Sequence, residues 1–279
     1  MAHASTTFCE DRYRRSFEEL SSLGLKLPEG SFAFLASEVL NRVSQHAALQ
    51  NQMPIQTTDA EIEELSLALI SQQSDAGSQF IFDLQSKGAS VENVYLSYLA
   101  HAARRLGVWW EEDRVSLLDV TVGTGRIYAI MRAMADLFDL PDIHHNKTAV
   151  FSAVPGETHT LGVRMAADLF RKSGWEIDLK IGLSHDDLVA DLAKSNHVLI
   201  GLSGGGEHCI VELARLVVAL RISNPKALIF VSGNIVTESR EVIESMDVDA
   251  MSNDFEEAHA LMDQLWTQAK ASARAKNVI

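Results

Sequence analysis

Cysteine is scarce. The 279 residues hold 2, Cys9 and Cys209, far apart and outside any CxxC or Cys/His zinc spacing. That excludes a disulfide-stapled scaffold and a zinc-finger module, and it fits a reducing compartment. Basic charge is also in deficit: 24 Lys and Arg stand against 38 Asp and Glu, a formal net charge of −14. A nonspecific nucleic-acid surface is therefore excluded as the main activity. The basic cluster Arg12, Arg14 and Arg15 is offset by Glu10, Asp11, Glu18 and Glu19, and no helix-turn-helix stands out. Long apolar runs are missing as well, since those within 147–154 and 198–202 have only strand length. The N-terminus lacks the basic-then-apolar layout of a leader, so no membrane association and a cytoplasmic location are expected. What is present, 47% hydrophobic and 22% charged residues, is the balance of a globular chain long enough for about two domains.

The hydrophobic period divides the chain. Residues 1–57 read as an N-terminal extension without a motif, although Phe32, Leu35, Val39, Leu40 and Val43 recur at helical spacing between Pro28 and Pro54. From Thr58 the pattern is helical. Asp59 is the expected cap of a helix carrying Ile62, Leu65, Ala68 and Leu69, with Glu61 and Glu63 in its first turn. Further helices are expected over 77–84, 91–106 and 116–138, so that 58–140 forms a helical bundle. The polar, proline-marked stretch Pro141–Asn146 marks the domain boundary. Beyond it, strands at 148–154, 177–181, 198–202, 227–231 and 248–251 alternate with helices at 162–172, 186–193, 210–220, 238–245 and 255–270. Five βα units in succession make 147–279 an α/β domain, a parallel five-stranded sheet of flavodoxin or Rossmann type.

In such a sheet, ligands lie at the carboxyl ends of the strands. The first strand runs into Pro155-Gly156-Glu157-Thr158-His159-Thr160-Leu161-Gly162, which places a histidine and a nearby carboxylate where a ligand arrives. The third runs into Ser203-Gly204-Gly205-Gly206 and the fourth into Ser232-Gly233-Asn234, giving hydroxyls beside glycines that permit close approach. Nucleotide readings are weak, because the first turn lacks GxGxxG and the chain has no GxxxxGKS/T. A phospho-receiver reading fails, since Ser203 and Met251-Ser252-Asn253 stand where that domain needs aspartate and lysine.

Glu157-x-His159-x-x-Gly162, then Ser203-x-x-Gly206, then Ser232-Gly233 resembles the signature of base-off/His-on corrinoid domains, Asp-x-His-x-x-Gly followed by a serine and a Gly-Gly. The resemblance extends over 147–270, including Asp249–Asp254. It implies that cobalamin is the cofactor, adenosyl- or hydroxocobalamin. His159 would be the lower cobalt ligand and metal residue, Glu157 its orienting partner, Ser203, Ser232 and Gly233 would line the channel for the freed nucleotide tail, and Gly162 and Gly205 would be further cofactor-binding residues. Glu157 is one methylene longer than the family aspartate, and Ser232 stands where the family has the first glycine. A neutral imidazole whose other N–H is held by a carboxylate is a good transition-metal ligand.

The helical half carries a second resemblance. Leu106-Gly107-Val108-Trp109-Trp110-Glu111-Glu112-Asp113-Arg114-Val115-Ser116 is similar to the segment that puts a tryptophan over the corrin in cobalamin photoreceptors and methionine synthase caps. Where CarH-like photoreceptors have a Glu-His pair, this chain has Val120 and Thr121. The run Asp119-Val120-Thr121-Val122-Gly123-Thr124-Gly125-Arg126, together with Trp109 and Trp110, resembles the AerR/PpaA antirepressors and the C-terminal domain of AppA. That resemblance implies a non-enzymatic, light- or redox-responsive regulator that binds a CrtJ/PpsR-type repressor of photosynthesis genes. Gly123 and Gly125 fit either close approach of a corrin or tight helix packing. A corrinoid methyl carrier and a heme sensor with His159 as axial ligand are the alternatives. His3, His101, His144 and His145 are candidates for an upper ligand. His208 and the remaining histidines read as solvated or core residues, and both cysteines as inert thiols, with a redox handle the alternative for Cys9.

Overall fold

The computed structural model describes residues 8–49, 57–134, 137, 147–195 and 197–276, and it divides into two compact units, Met1–Phe138 and Asp139–Ile279. The expected linker 141–146, and with it His144 and His145, lies outside the described residues, as does His3.

The first unit is helical: α1 (Glu10–Lys26), α2 (Ser31–Leu49), α3 (Asp59–Ile70), α4 (Ala76–Ser86), α5 (Val91–Asn93), a π-helical turn (Val94–Leu99), α6 (Ala100–Glu111) and α7 (Leu117–Met134). The segment 1–57, expected as an extension apart from the bundle, instead supplies two of its helices. α1 packs on α7, and α2 packs on α6 and α7. The reason is burial of apolar stripes, with Leu20 and Leu23 on α1 and Leu35, Val39 and Val43 on α2. Thr58, and not Asp59, caps α3. Its hydroxyl accepts the Glu61 N–H at 3.3 Å while the Glu61 carboxylate accepts the Thr58 N–H at 2.8 Å. The expected helix 91–106 is broken by the π turn and runs on to Glu111.

Helix α7 is the centre of this unit, buried from Gly123 through Met134. Ser116 and Asp119 cap it reciprocally. Arg126 donates from Nη1 to the carbonyls of Leu69 and Ser71, both at 2.8 Å, and so closes the C-terminal end of α3.

The second unit alternates β1 (Lys147–Ala153), α8 (Leu161–Lys172), β2 (Trp175–Lys180), α9 (His185–Lys194), β3 (Leu199–Ser203), α10 (Ile210–Ser223), β4 (Leu228–Ser232), the short turns α11 (Ile235–Glu238) and α12 (Arg240–Ile243), β5 (Ala250–Ser252) and α13 (Phe255–Lys276). The single helix expected at 238–245 is two turns that meet at Ser239. All four strand pairings are parallel and the order is β2-β1-β3-β4-β5, the flavodoxin arrangement. One face of the sheet is covered by α8 and α13 around Phe151, Phe170, Trp175, Met262 and Trp266. α9 and α10 pack on each other. The inner strands β3 and β4 are buried along nearly their whole length and are almost continuously apolar, whereas the edge strand β2 alternates apolar with charged residues. Among the described residues, no helix is long and apolar enough to cross a membrane.

Candidate functional site

The order β2-β1-β3 means that the chain leaves β1 toward one edge of the sheet and leaves β3 toward the other. Right-handed crossovers then send the two following connections to opposite faces and open a crevice between them. The loop after β1 carries Glu157 and His159, and the loop after β3 carries Gly204–Cys209. Backbone bonds Val154 N–H to Ser203 carbonyl at 2.9 Å and Gly204 N–H to Ser232 carbonyl at 3.1 Å fix the loop bases to one another.

Glu157 is the hub. Its Oε1 accepts the backbone N–H of His159 at 2.7 Å and lies 2.9 Å from His159 Nδ1. Its Oε2 accepts the Gly205 N–H at 2.8 Å and the Cys209 thiol at 3.2 Å, and lies 3.3 Å from His208 Nε2. The Glu157 side chain is only 2% exposed while that of His159 is 83% exposed. Burial by itself raises the Glu157 carboxyl, but donors from His159, Cys209 and Gly205 outweigh it and hold the group at about 2. Burial, and then the adjacent Glu157 carboxylate, pushes the Cys209 thiol up to about 11. A ring nitrogen facing a carboxylate carries the proton, so His159 holds its N–H on Nδ1 and presents the Nε2 lone pair outward. The extra methylene of glutamate does not loosen this contact. It lets one carboxylate span both loops.

Two glycines make the arrangement possible. A Cβ on Gly205 would collide with the Glu157 carboxylate. Gly233 has φ +95 and its Cα faces the Gly204 carbonyl and Ser203 Oγ, so both its backbone conformation and its surroundings require glycine. Ser203, Ser232 and Ser252 are in register across β3, β4 and β5. Ser203, Ser232, Gly233 and Gly162 all line a cavity of about 270 Å³ between the strand ends, α8 and the start of α13. Its other walls are mostly apolar: Phe151, Val163, Met165, Leu169, Phe230 and Phe255. The volume is small for a whole cofactor and suits one aromatic side arm. Gly162, one of the lining residues, has nothing within 4 Å of a notional Cβ.

The structure thus brings together Glu157, His159 and Gly205, and places Gly162, Ser203, Ser232 and Gly233 around the adjoining cavity. The helical residues lie in the other unit. Trp109 is 3% exposed, in the bundle core with the Arg114 guanidinium 5.0 Å from its ring centre, whereas Trp110 is partly exposed. Val120 is fully buried and Thr121 partly so. The choice left open for Gly123 and Gly125 falls to helix packing. A Cβ on Gly123 would meet Leu106 and Ile70, and one on Gly125 would meet Phe17. His101 is exposed on α6. Sequence reasoning missed His208 and Cys209, which were read as bland yet share the Glu157 carboxylate. The available signal was their position directly after the glycine loop of β3.

Residues 147–263 match the family model described as the B12 binding domain. Over 167 residues, 59% of this chain and 87% of the relative, the chain is 25% identical to an uncharacterized 20.5 kDa protein in the bchF-crtJ intergenic region of Rhodobacter capsulatus. Similar solved structures include a cobalamin-binding protein from Desulfitobacterium hafniense DCB-2, at 16% identity and TM-score 0.39, covering 75% of this chain and 99% of that one. A monomethylamine corrinoid protein from Methanosarcina barkeri matches at 16% identity and TM-score 0.36, covering 78% of this chain and 100% of the other.

Proposed function

We propose that the C-terminal unit binds cobalamin with His159 Nε2 as the lower cobalt ligand, and that the chain is a light- or redox-responsive antirepressor of photosynthesis genes. The observation that carries the reading is the pair at the crevice: an exposed imidazole whose Nδ1 is held 2.9 Å from a buried carboxylate, on the loop that leads into the cavity wall. When bound, the corrinoid would supply a cobalt centre whose ligation responds to light or oxidation.

The protein's own residues orient and hold. Glu157 fixes the His159 tautomer and raises the basicity of Nε2, and loss of such a partner costs about 10–100-fold in metal affinity. The mostly apolar cavity would take the tail's aromatic ring, and the Ser203 and Ser232 hydroxyls among its lining would offer hydrogen bonds to the tail. The net charge of −14 favours regulation through a DNA-binding partner over direct DNA contact. The partner in this reading is a repressor of the CrtJ/PpsR type; the relative at 25% identity is encoded between bchF and crtJ.

The test is an absorption spectrum of the purified chain mixed with adenosyl- or hydroxocobalamin in the dark, repeated for His159→Ala and after illumination. A base-off/His-on spectrum that the variant loses and light alters is the expected result. A Soret band with hemin and no cobalamin binding would replace cobalamin with heme. Light-dependent relief of a CrtJ/PpsR-type repressor's DNA binding tests the partner. Sequence-specific DNA binding by this chain alone would refute action through a repressor.

A further inference from the structure

Glu157 Oε2 contacts two side chains, Cys209 and His208, that the Glu157-x-His159-x-x-Gly162 signature does not include. Cys209 Sγ is 3.2 Å and His208 Nε2 3.3 Å from it, and the three donor atoms all lie within 4.8 Å of one another. Around a tetrahedral zinc ion, with bonds of about 2.0–2.3 Å, neighbouring donor atoms stand roughly 3.3–3.8 Å apart. The Oε2 contacts are already close to that spacing.

We infer that Glu157, His208 and Cys209 form a binding site for a borderline-soft divalent metal ion such as zinc, distinct from the ligand position at His159. The donor set is the kind that selects such ions: one thiolate, one imidazole and one carboxylate. Three protein ligands leave a fourth position for water, and the His208 side chain, 64% exposed, stands on the solvent side. Cys209 is buried at 4% exposure and Glu157 is held rigidly by the N–H groups of His159 and Gly205, so two of the three ligands are already positioned. Binding forms bonds from the metal to Sγ, Nε2 and Oε2. The thiol proton leaves to solvent, and the imidazole moves its proton to Nδ1. No electron transfer is involved.

The site stands whether or not His159 takes a corrinoid, because Glu157 serves the histidine through Oε1 and the metal through Oε2. The test uses the full-length chain, reduced and stripped with chelator, titrated with Co²⁺ as a spectroscopic probe. The expected result is a thiolate-to-cobalt charge-transfer band in the near ultraviolet, with visible bands of four-coordination, saturating at a single equivalent and displaced by Zn²⁺. Cys209→Ser abolishes the charge-transfer band, His208→Ala weakens binding at least about tenfold, and Cys9→Ser and His159→Ala leave the band in place. Absence of the band in the unaltered chain, its survival in Cys209→Ser, or unchanged affinity in His208→Ala overturns the proposal. If Cys209→Ser fails to fold, His208→Ala, on an exposed side chain, decides the matter alone.

Discussion

Replacing Glu157 by glutamine removes one charge and almost no volume, so it isolates what the carboxylate does. In the folded chain the group titrates at about 2 against an ordinary 4.5. At about 1.4 kcal/mol per tenfold change, that difference contributes roughly 3 kcal/mol to stability at neutral pH. The sign follows from the depression. The folded value lies below the unfolded one, so the contribution is complete above pH 4.5 and is lost as pH falls toward 2. Glutamine keeps one acceptor oxygen but turns an N–H toward donors that the carboxylate satisfied. Glu157→Gln is therefore expected to destabilise the C-terminal unit by about 2–3 kcal/mol at neutral pH, with the gap closing through the acid window. Urea unfolding read by hydrogen exchange on peptides from 147–276 measures this unit separately from the helical one. Equal stability of the two proteins at neutral pH, or a gap that ignores pH through that window, would refute the reasoning.

Gly162→Leu adds a side chain at a residue that lines the cavity and where a Cβ meets no protein atom; thermal unfolding should be nearly unchanged while cobalamin affinity, measured by titration calorimetry, falls at least about tenfold, against the roughly 1.4 kcal/mol that a tenfold change represents. Gly233→Ala combines a left-handed backbone with a collision at the Gly204 carbonyl, and denaturant unfolding should show a loss of about 2 kcal/mol or more. Arg126→Met leaves the carbonyls of Leu69 and Ser71 without their donor; the helical unit should lose about 2 kcal/mol with cobalamin binding by the C-terminal unit unaffected, and fluorescence unfolding together with the binding titration checks both.

The alternation of β and α in the second half was readable because the inner strands are short apolar runs and the edge strand β2 alternates apolar with charged residues, while the helices between them keep a polar face. The loop residues Glu157, His159, Ser203, Ser232 and Gly233 were readable for a related reason. Ligand loops follow the strands directly, so locating a strand locates its loop. Other features gave no local signal. Helix α1 carries Glu10, Asp11, Arg12, Arg14, Arg15, Glu18 and Glu19, and this charge masks a narrow buried stripe at Leu20 and Leu23. The π turn at Val94–Leu99 has no composition of its own. Gly123 and Gly125 resembled an opening for a ligand, yet their free space is filled by Leu106, Ile70 and Phe17 from other helices.

The sequence by itself determined the parallel α/β sheet of the second half and the position of Glu157 and His159 on the loop after β1, because each is written in contiguous periodicity or in a single loop. Only the tertiary structure decided the strand order β2-β1-β3-β4-β5 and what that order brings together. By pairing β1 with β3, it joins loops distant in the chain, so that one carboxylate on the first holds His159 on its own loop and Gly205, His208 and Cys209 on the other. Residue spacing encodes neighbours along a strand or helix. It does not encode which strand lies alongside, since that depends on the packing of the whole sheet against its helices.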